Sequence, residues 1–323
     1  MQRLKNLKQK NNMETYTKIQ TLYKRYKHLG DKCPNEKWRK FQNKIIKGCY
    51  SDPVFLYLAP CIWEGYSKID GTNSKICFYP STGEVMVGGK TDKASSQHGQ
   101  FEMLQEIADR IQPQLCAMFP KETARFAPVK NDGNKIQYYI AEADDNLEIK
   151  YWEEEKAVDV LGKKKDPIYS SVKVEEVPVY IYGEYFGKGI QKCGGRYNDK
   201  NDFVVFDIEQ QGWWIPREMR EAYCKGLGLK TVPFIGLCTL SEFEDMVTKG
   251  FETKVPGAKD PTLIEEGIVA RPAIPVRDAR GNRIIVKIKY CDYSEWESVR
   301  KEFTDEEFKE FNDWYNENIE QIY

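Results

Sequence analysis

The chain of 323 residues contains only two histidines, His28 and His98, and none of its nine cysteines forms a CxxC pair. Zinc sites in proteins are built mainly from these two residue types, so the composition argues against a zinc site. The odd number of scattered cysteines favours reduced thiols in an intracellular protein over the disulfide framework of a secreted one.

Long apolar runs are also missing. No uncharged stretch approaches the roughly 20 apolar residues that a membrane span needs, and the basic N-terminal stretch is not followed by the apolar segment of a secretory signal. We therefore expect no membrane contact and, by default, a cytoplasmic location. Hydrophobic residues make up 41% of the chain and charged residues 31%, which is typical of a globular protein with one large or two smaller domains.

Negative charge is scarce in the first fifty residues. Residues 1–50 contain fourteen Lys and Arg against three Asp and Glu, whereas residues 292–323 contain eleven Asp and Glu against three Lys and Arg. A basic segment attracts a phosphate backbone, so contact with nucleic acid is one interpretation. A solvated helix surface is the other.

Hydrophobic spacing predicts a mixture of helices and antiparallel strands. Helices are predicted over 14–29, 35–47 and 99–118, from Pro216 to Gly226 or Gly228, after a capping box at Ser241, and after a capping box at Thr304. Strands are predicted between Val54 and Val87 and in the segments VPVYIYGEYFG, DFVVFDIEQ, EEGIVARP and RIIVKIKY. The fold class is therefore α+β, with helices packed on the outer faces of antiparallel sheets.

The stretch WEGYSKIDGTNSKI places Lys68 among apolar residues, immediately before Asp-Gly-Thr-Asn. Lys68 is either a surface lysine that precedes a hairpin turn or a lysine that loses its proton to act as a nucleophile. A free lysine amine, with a pKa near 10.4, needs that pKa lowered by roughly three units, about 4 kcal/mol, to be neutral at pH 7.4. Apolar surroundings and nearby cations both act in this direction.

The later predicted strands each carry charged residues within apolar runs. Glu184 and Glu266 lie in such strands, where an unpaired charge is costly, so a cation or hydroxyl partner is expected for them. Lys287 and Lys289 are two residues apart and therefore share one face of their strand. That face is directed toward a shared ligand or, as on an edge strand, toward water.

Six segments, in order, carry a family resemblance: KIDGTN, GGKTD, GEYFGKGIQ, FVVFDI, EGIVARP and VKIK. Together they resemble the covalent nucleotidyltransferase superfamily of ATP-dependent ligases and RNA-capping enzymes, and within it the RNA ligase 2 family. The resemblance covers Trp63 to Tyr290 and implies an ATP-grasp-like nucleotidyltransferase domain of antiparallel sheets flanked by helices. It divides the chain into a basic helical N-terminal segment (1–50), an adenylyltransferase domain (51–291) and a short acidic helical C-terminal tail (292–323).

The resemblance implies roles for residues around a bound ATP. Lys68 would attack the α-phosphate and become a lysyl-adenylate, while Glu184 would hold the ribose and Phe206 would stack on the adenine. Glu266 would bind Mg²⁺ or Mn²⁺, because hard cations prefer carboxylate oxygens. Lys287 and Lys289 would contact the α-phosphate.

Two further positions concern RNA and phosphate. Asn73 is expected to assist when AMP passes to an RNA 5′-phosphate. Lys90 stands where relatives often have arginine, and lysine cannot make the same bidentate phosphate contact. Arg271, which closes the fifth segment, stands where lysine is common.

The function implied is an ATP-dependent RNA ligase, acting as a monomer on RNA with 3′-hydroxyl and 5′-phosphate ends, including nicked duplexes. A DNA nick ligase or a capping guanylyltransferase of the same superfamily is the alternative. Those enzymes normally continue with an oligonucleotide-binding fold, whereas residues 291–323 have a helical pattern. A non-catalytic RNA-binding module with the same fold is the third interpretation.

Overall fold

The computed structural model describes residues 16–30, 33–89, 100–119, 124–130, 136–143, 148–151, 172–173, 178–192, 194–210, 213–255, 258–260 and 262–318. The chain folds into two compact units. Unit A comprises Glu14–Thr72, Glu184–Val204 and Thr231–Tyr323, and unit B comprises Met1–Met13, Asn73–Gly183 and Val205–Lys230. The domain limits expected from the sequence remain predictions.

The strands are β1 Gln20–Thr21, β2 Tyr23–Arg25, β3 Ile45–Tyr50, β4 Trp63–Ser67, β5 Thr72–Tyr79, β6 Glu84–Gly89, β7 Ala124–Lys130, β8 Ile136–Ala143, β9 Glu148–Tyr151, β10 Val172–Lys173, β11 Val179–Phe186, β12 Asp202–Gln210, β13 Trp213–Trp214, β14 Lys230–Thr231, β15 Phe234–Cys238, β16 Gly267–Pro272 and β17 Val286–Lys289. The helices are a 3₁₀ helix Glu36–Phe41, α1 Pro53–Leu58, α2 Gln100–Met118, α3 Gly194–Tyr197, α4 Arg217–Leu227, α5 Leu240–Lys249, α6 Tyr290–Arg300 and α7 Asp305–Asn318.

Unit A is built on a five-stranded sheet in the order β1-β17-β16-β4-β15. Neighbouring strands are antiparallel except for β1, which is parallel to β17. Helix α5 packs on β16 and β17, and its Phe243 is fully buried in one apolar cluster with Trp63, Ile268 and Ile288. Burial of side chains of this size supplies most of the stability of such a sheet–helix layer.

The basic N-terminal residues and the acidic C-terminal residues of unit A pack on each other. Tyr26 and Phe41 share an aromatic cluster with Phe311 and Tyr315 of α7, and the Tyr26 and Phe311 ring centroids are 4.9 Å apart. Ion pairs at the surface join the same segments, such as Lys37–Glu307 and Lys44–Glu295, each at 2.7 Å. Because exposed ion pairs contribute little individually, the aromatic cluster accounts for most of this packing.

Unit B contains residues of two further sheets. A six-stranded sheet has the order β13-β12-β11-β5-β6, with β14 paired to β12, and a four-stranded sheet has the order β10-β9-β8-β7. Helix α2 packs on β6 and buries one face at helical spacing, formed by Leu104, Ala108, Ile111 and Leu115.

The α+β fold class predicted from the sequence is confirmed, as are α2, α4 and the capping box at Thr304, whose side chain accepts from the Glu307 backbone N–H. Helix α4 ends at Gly228 in the left-handed conformation, as its glycine predicted.

No helix in the described part of the chain has the length and apolar character to cross a membrane. Eight cysteines lie in this part, and all eight are free thiols.

The helix predicted over 14–29 is wrong in the described residues, which form β1 and β2 instead. The apolar residues have helical spacing, but Leu22 and Tyr26 enter two different clusters. Pairing of β1 with β17 and of β2 with β3 therefore overrides the local pattern.

Three other predicted boundaries are corrected. The helix predicted over 35–47 is a 3₁₀ helix that ends at Phe41, and β3 follows it. The first residues of the segment predicted to form strands from Val54 belong instead to α1, Pro53–Leu58, whose N-cap is Asp52. The capping box of α5 is formed by Thr239 and Glu242, two residues before the position predicted at Ser241.

Substitution of Gly65 in β4 tests the contact between sheet and helix in unit A. A Cβ atom at this position would lie 2.4 Å from the ring of Phe243, which is fully buried. We expect Gly65→Ala to reduce the free energy of unfolding by about 1–3 kcal/mol, as overpacking does, measured by urea denaturation. Gly195→Ala is the matched control, because a Cβ there meets no atom within 4 Å. Equal stability of the two variants would contradict the packing described.

Candidate functional site

Three neighbouring strands of unit A bring Lys68, Glu266 and Lys289 together. Gly267 is paired with Lys289 on β17, and the Lys68 backbone N–H donates to the Gly267 carbonyl at 2.9 Å on the other side. Lys68 follows the last residue of β4, and Glu266 precedes the first residue of β16. The two lysines thus flank the start of β16 from both sides, although they are more than 200 residues apart in the chain.

Gly267 permits this close packing of strands. A Cβ atom on it would lie 2.0 Å from the Ile288 carbonyl oxygen and 2.9 Å from the Lys289 Cα atom. Both contacts are with backbone atoms that cannot rotate away, so only glycine fits at this position.

The Glu266 carboxylate is shared by the two ammonium groups. Its Oε2 atom is 2.6 Å from Lys68 Nζ, and its Oε1 atom is 3.0 Å from Lys289 Nζ. The three side chains are 18–27% exposed. Burial lowers the pKa of Lys289, but the charge of Glu266 and its hydrogen bond outweigh that effect, so the pKa is raised overall. With two cations and one anion, the cluster is attractive to a phosphate group.

Glu184, on β11, lies next to this cluster. The Gly71 backbone N–H donates to its carboxylate, and a Cβ atom on Gly71 would lie 2.8 Å from Glu184 Cγ and 2.6 Å from the Tyr185 carbonyl oxygen. The glycine in the KIDGTN segment is therefore required by the close approach of β11.

The Glu184 carboxyl has an unusually high proton affinity. Some of the side chain is accessible at the surface, yet protein atoms surround the carboxyl group itself. This desolvation raises its pKa to about 8, against the lowering effect of Lys68, and the charges of Glu266 and Asp70 add to the increase. A strongly shifted carboxyl next to a lysine–carboxylate cluster is typical of a functional site.

Sequence reasoning missed Tyr197 and Glu265. The Tyr197 hydroxyl accepts a long hydrogen bond, 3.4 Å, from the Asp70 backbone N–H, and no sequence signal marked it. Glu265 is buried, and its carboxylate accepts from the Lys254 backbone N–H at 2.9 Å. Burial raises its pKa. The family resemblance selected Glu266 from the Glu265–Glu266 pair, and no sequence signal indicated that Glu265 would be buried.

Lys287 shares the half-exposed face of β17 with Lys289, as predicted, and it also lines an adjoining cavity. Asn73 and Phe206 belong to unit B, on β5 and β12. The Asn73 Oδ1 atom is buried and accepts no hydrogen bond from the described residues, whereas the Phe206 carbonyl accepts from Arg220 at 2.9 Å. Lys90 lies outside the described residues.

Arg271 has a structural partner. It is paired across the strands with Glu64, and its Nε atom is 3.2 Å from a Glu64 carboxylate oxygen. Its Nη2 atom donates to the Tyr66 hydroxyl at 3.0 Å. The arginine that closes the EGIVARP segment therefore stabilises the β4–β16 pair.

The described residues contain no group of three or more His, Cys, Asp or Glu side chains placed to hold a metal ion by themselves. Mg²⁺ usually keeps several waters and takes one or two carboxylates together with substrate phosphates. Glu266 provides one such carboxylate, so the donor set fits a cation that arrives with a nucleotide and does not fit a permanent protein cage.

Comparison with known proteins gives one match to a family. The family is described as RNA ligase, and its model matches residues 63–289. This range begins at β4 and ends at β17, and it contains Lys68, Glu184, Glu266 and Lys289.

The fold is also similar to solved mutant RNA ligases from Naegleria gruberi. A structure with AMP and Mn is 13% identical, with a TM-score of 0.42, and the match covers 77% of this chain and 55% of that chain. A structure with ATP and Mn is 12% identical, with a TM-score of 0.41 and coverages of 73% and 52%. The chain therefore spans about half the length of these proteins.

The raised pKa of Glu184 predicts a pH-dependent stability difference. Between about pH 5 and pH 8 the folded state holds a proton that the unfolded state has lost, so the stability contributed by this group falls as the pH rises through about 8. Glutamine does not titrate. We therefore expect Glu184→Gln to gain stability relative to the unmodified protein from pH 5 to pH 9, by about 4 kcal/mol.

The measurement is urea denaturation at five pH values. The exposed Glu310 provides the control, since Glu310→Gln should show a difference that stays nearly constant with pH. A constant difference for Glu184→Gln as well would refute the shifted carboxyl.

Proposed function

The chain belongs to the RNA ligase family, and from this premise we propose that it joins RNA 3′-hydroxyl and 5′-phosphate ends in an ATP-dependent reaction. The observation that carries the proposal is the sharing of Glu266 between Lys68 and Lys289 beside Glu184. This arrangement combines an amine nucleophile, a second cation and a carboxylate in one partly buried cluster.

In the proposed first step, Lys68 Nζ attacks the α-phosphorus of ATP. A nitrogen–phosphorus bond forms, the bond from the α-phosphorus to the bridging oxygen breaks, and pyrophosphate leaves. The amine must be neutral to attack, so the 2.6 Å pair between Lys68 and Glu266 has to be released and the lysine proton lost. Lys289 remains as a cation beside the reacting phosphate, where negative charge increases.

In the second step, an oxygen of the RNA 5′-phosphate attacks the same phosphorus, the nitrogen–phosphorus bond breaks, and Lys68 regains a proton. In the third, the 3′-hydroxyl oxygen attacks the activated 5′-phosphate, loses its proton, and AMP leaves. We propose that Asn73 assists the second step, since its buried Oδ1 atom accepts no hydrogen bond from the described residues.

The remaining residues are proposed to bind ATP. Glu184, protonated or ionised near neutral pH because of its pKa of about 8, is able to donate or accept a hydrogen bond with a ribose hydroxyl. Phe206 would stack on the adenine, as aromatic side chains do on any base. Lys287 and Lys90 would contact phosphates.

Glu266 would hold the divalent cation, Mg²⁺ or Mn²⁺. A cation bound there would supply positive charge that disfavours a protonated Lys68 and stabilises the phosphate oxygens. Glu266 is thus proposed to bind the lysine in the free protein and the metal during the reaction.

Covalent labelling tests the first step. The protein is incubated with Mg²⁺ and ATP labelled at the α-phosphate, and the denatured protein is examined for label. We expect labelling of the unmodified protein and a loss of at least a hundredfold in Lys68→Ala, because no other amine occupies the position next to Glu266 and Lys289 among the described residues. Lys249→Ala, which changes an exposed lysine of the same unit, should be labelled normally.

Persistence of the label in Lys68→Ala would refute the proposed nucleophile. Labelling with GTP and not ATP would indicate a capping enzyme. Sealing of nicked duplexes with DNA, but not RNA, on the 3′-hydroxyl side would indicate a DNA ligase.

A further inference from the structure

A cavity of about 890 Å³ lies in unit A, and five of the residues that line it are basic: Lys18, Lys24, Arg25, Lys27 and Lys287. No Asp or Glu is among the described residues of its lining. We propose that this basic cavity binds the sugar–phosphate backbone of the RNA strand that is being joined. The inference rests on the proposed function and adds a substrate-binding surface to it.

Three of the five cations are available to a ligand. The side chains of Lys18, Lys24 and Lys27 are exposed, and none of them forms an ion pair with another described residue. Arg25 differs, because its Nη2 atom is 2.6 Å from Asp292 and its Nη1 atom donates to the Asn43 carbonyl. Arg25 is therefore a fixed part of the wall, and the three lysines supply the uncompensated charge.

Irregular strand pairing directs these side chains into one cavity. The register between β2 and β3 shifts between Tyr23 and Arg25, so strict alternation of faces does not apply to the adjacent Lys24 and Arg25. On the other side, β1 runs parallel to β17, and Thr21 is paired with Lys287. The β1–β17 pair thus brings Lys287 to the cavity.

The same strand connects the basic cavity to the candidate site. Lys287 and Lys289 lie on one face of β17, about 7 Å apart along the strand at the usual rise per residue. Lys289 contacts Glu266, which contacts Lys68. An RNA strand lying in the cavity would therefore pass close to the lysine cluster.

The type of side chain favours a phosphate backbone as the ligand. Lysines are flexible point charges that attract phosphates without reading base sequence. Several lysines at separate positions suit a chain of phosphates better than a single phosphate group, and each phosphate contact adds affinity that falls with salt. The triphosphate of ATP would also present phosphate groups to these lysines, and the experiment distinguishes ATP from RNA as the ligand of the cavity.

The test uses the full chain with the triple substitution Lys18→Ala, Lys24→Ala and Lys27→Ala. We expect at least tenfold weaker binding of a fluorescent 5′-phosphorylated single-stranded RNA. We also expect a decrease of about 2 in the slope of log affinity against log salt, since each lost contact contributes about 0.7. Covalent labelling by ATP should be unchanged.

The matched control removes the same charge from three other exposed lysines, by Lys225→Ala, Lys249→Ala and Lys309→Ala. Equal weakening in the control would show a general charge effect and overturn the proposal. Loss of ATP labelling in parallel with RNA binding would assign the cavity to the nucleotide, and would also overturn it. If the triple variant does not fold, as judged by its melting temperature, Lys24→Glu provides the same comparison with one substitution.

The proposed ligase reaction and the proposed RNA-binding cavity can be refuted independently of each other. Absence of ATP labelling in the unmodified protein would refute the ligase reaction, while the RNA-binding comparison would still decide whether the cavity binds RNA. Normal labelling together with unaltered RNA binding by the triple variant would refute the cavity alone.

Discussion

The shared carboxylate of Glu266 is the interaction on which the candidate site depends. It holds Lys68 and Lys289 at 2.6 and 3.0 Å from its two oxygens. This requires β4, β16 and β17 to be adjacent and in one register, which Gly267 permits because a side chain there would collide with the Ile288 carbonyl. The catalytic geometry proposed here is thus a consequence of backbone packing in one sheet, not of a flexible loop.

A second close contact, between Gly71 and β11, determines the position of Glu184. The absence of a Cβ atom on Gly71 allows β11 to come near the residues after Lys68, and the resulting burial raises the pKa of Glu184 to about 8. The two glycines therefore act in the same way: each allows a charged group to approach others at the ends of β4 and β16.

The basic N-terminal residues of unit A are only partly paired with its acidic C-terminal residues. The acidic residues of α6 and α7 pair with Arg25, Lys37 and Lys44, so part of the basic N-terminal charge is compensated within the fold. Lys18, Lys24 and Lys27 remain exposed around the basic cavity. The charge asymmetry of the sequence indicated nucleic-acid contact only in general, because charge counts do not show which residues are paired.

The sequence by itself determined the α+β class and the order of the motif segments, since strand alternation and helix caps depend on local residues and α2, α4 and α7 follow those rules. It also indicated that Lys68, Glu266 and Lys289 are charges in apolar strands. Only the tertiary structure decided that residues 16–29 contain the short strands β1 and β2 and no helix, that Lys68 and Lys289 share the Glu266 carboxylate, and that Tyr197 contacts Asp70. These features depend on contacts between residues far apart in the chain, which local spacing does not encode.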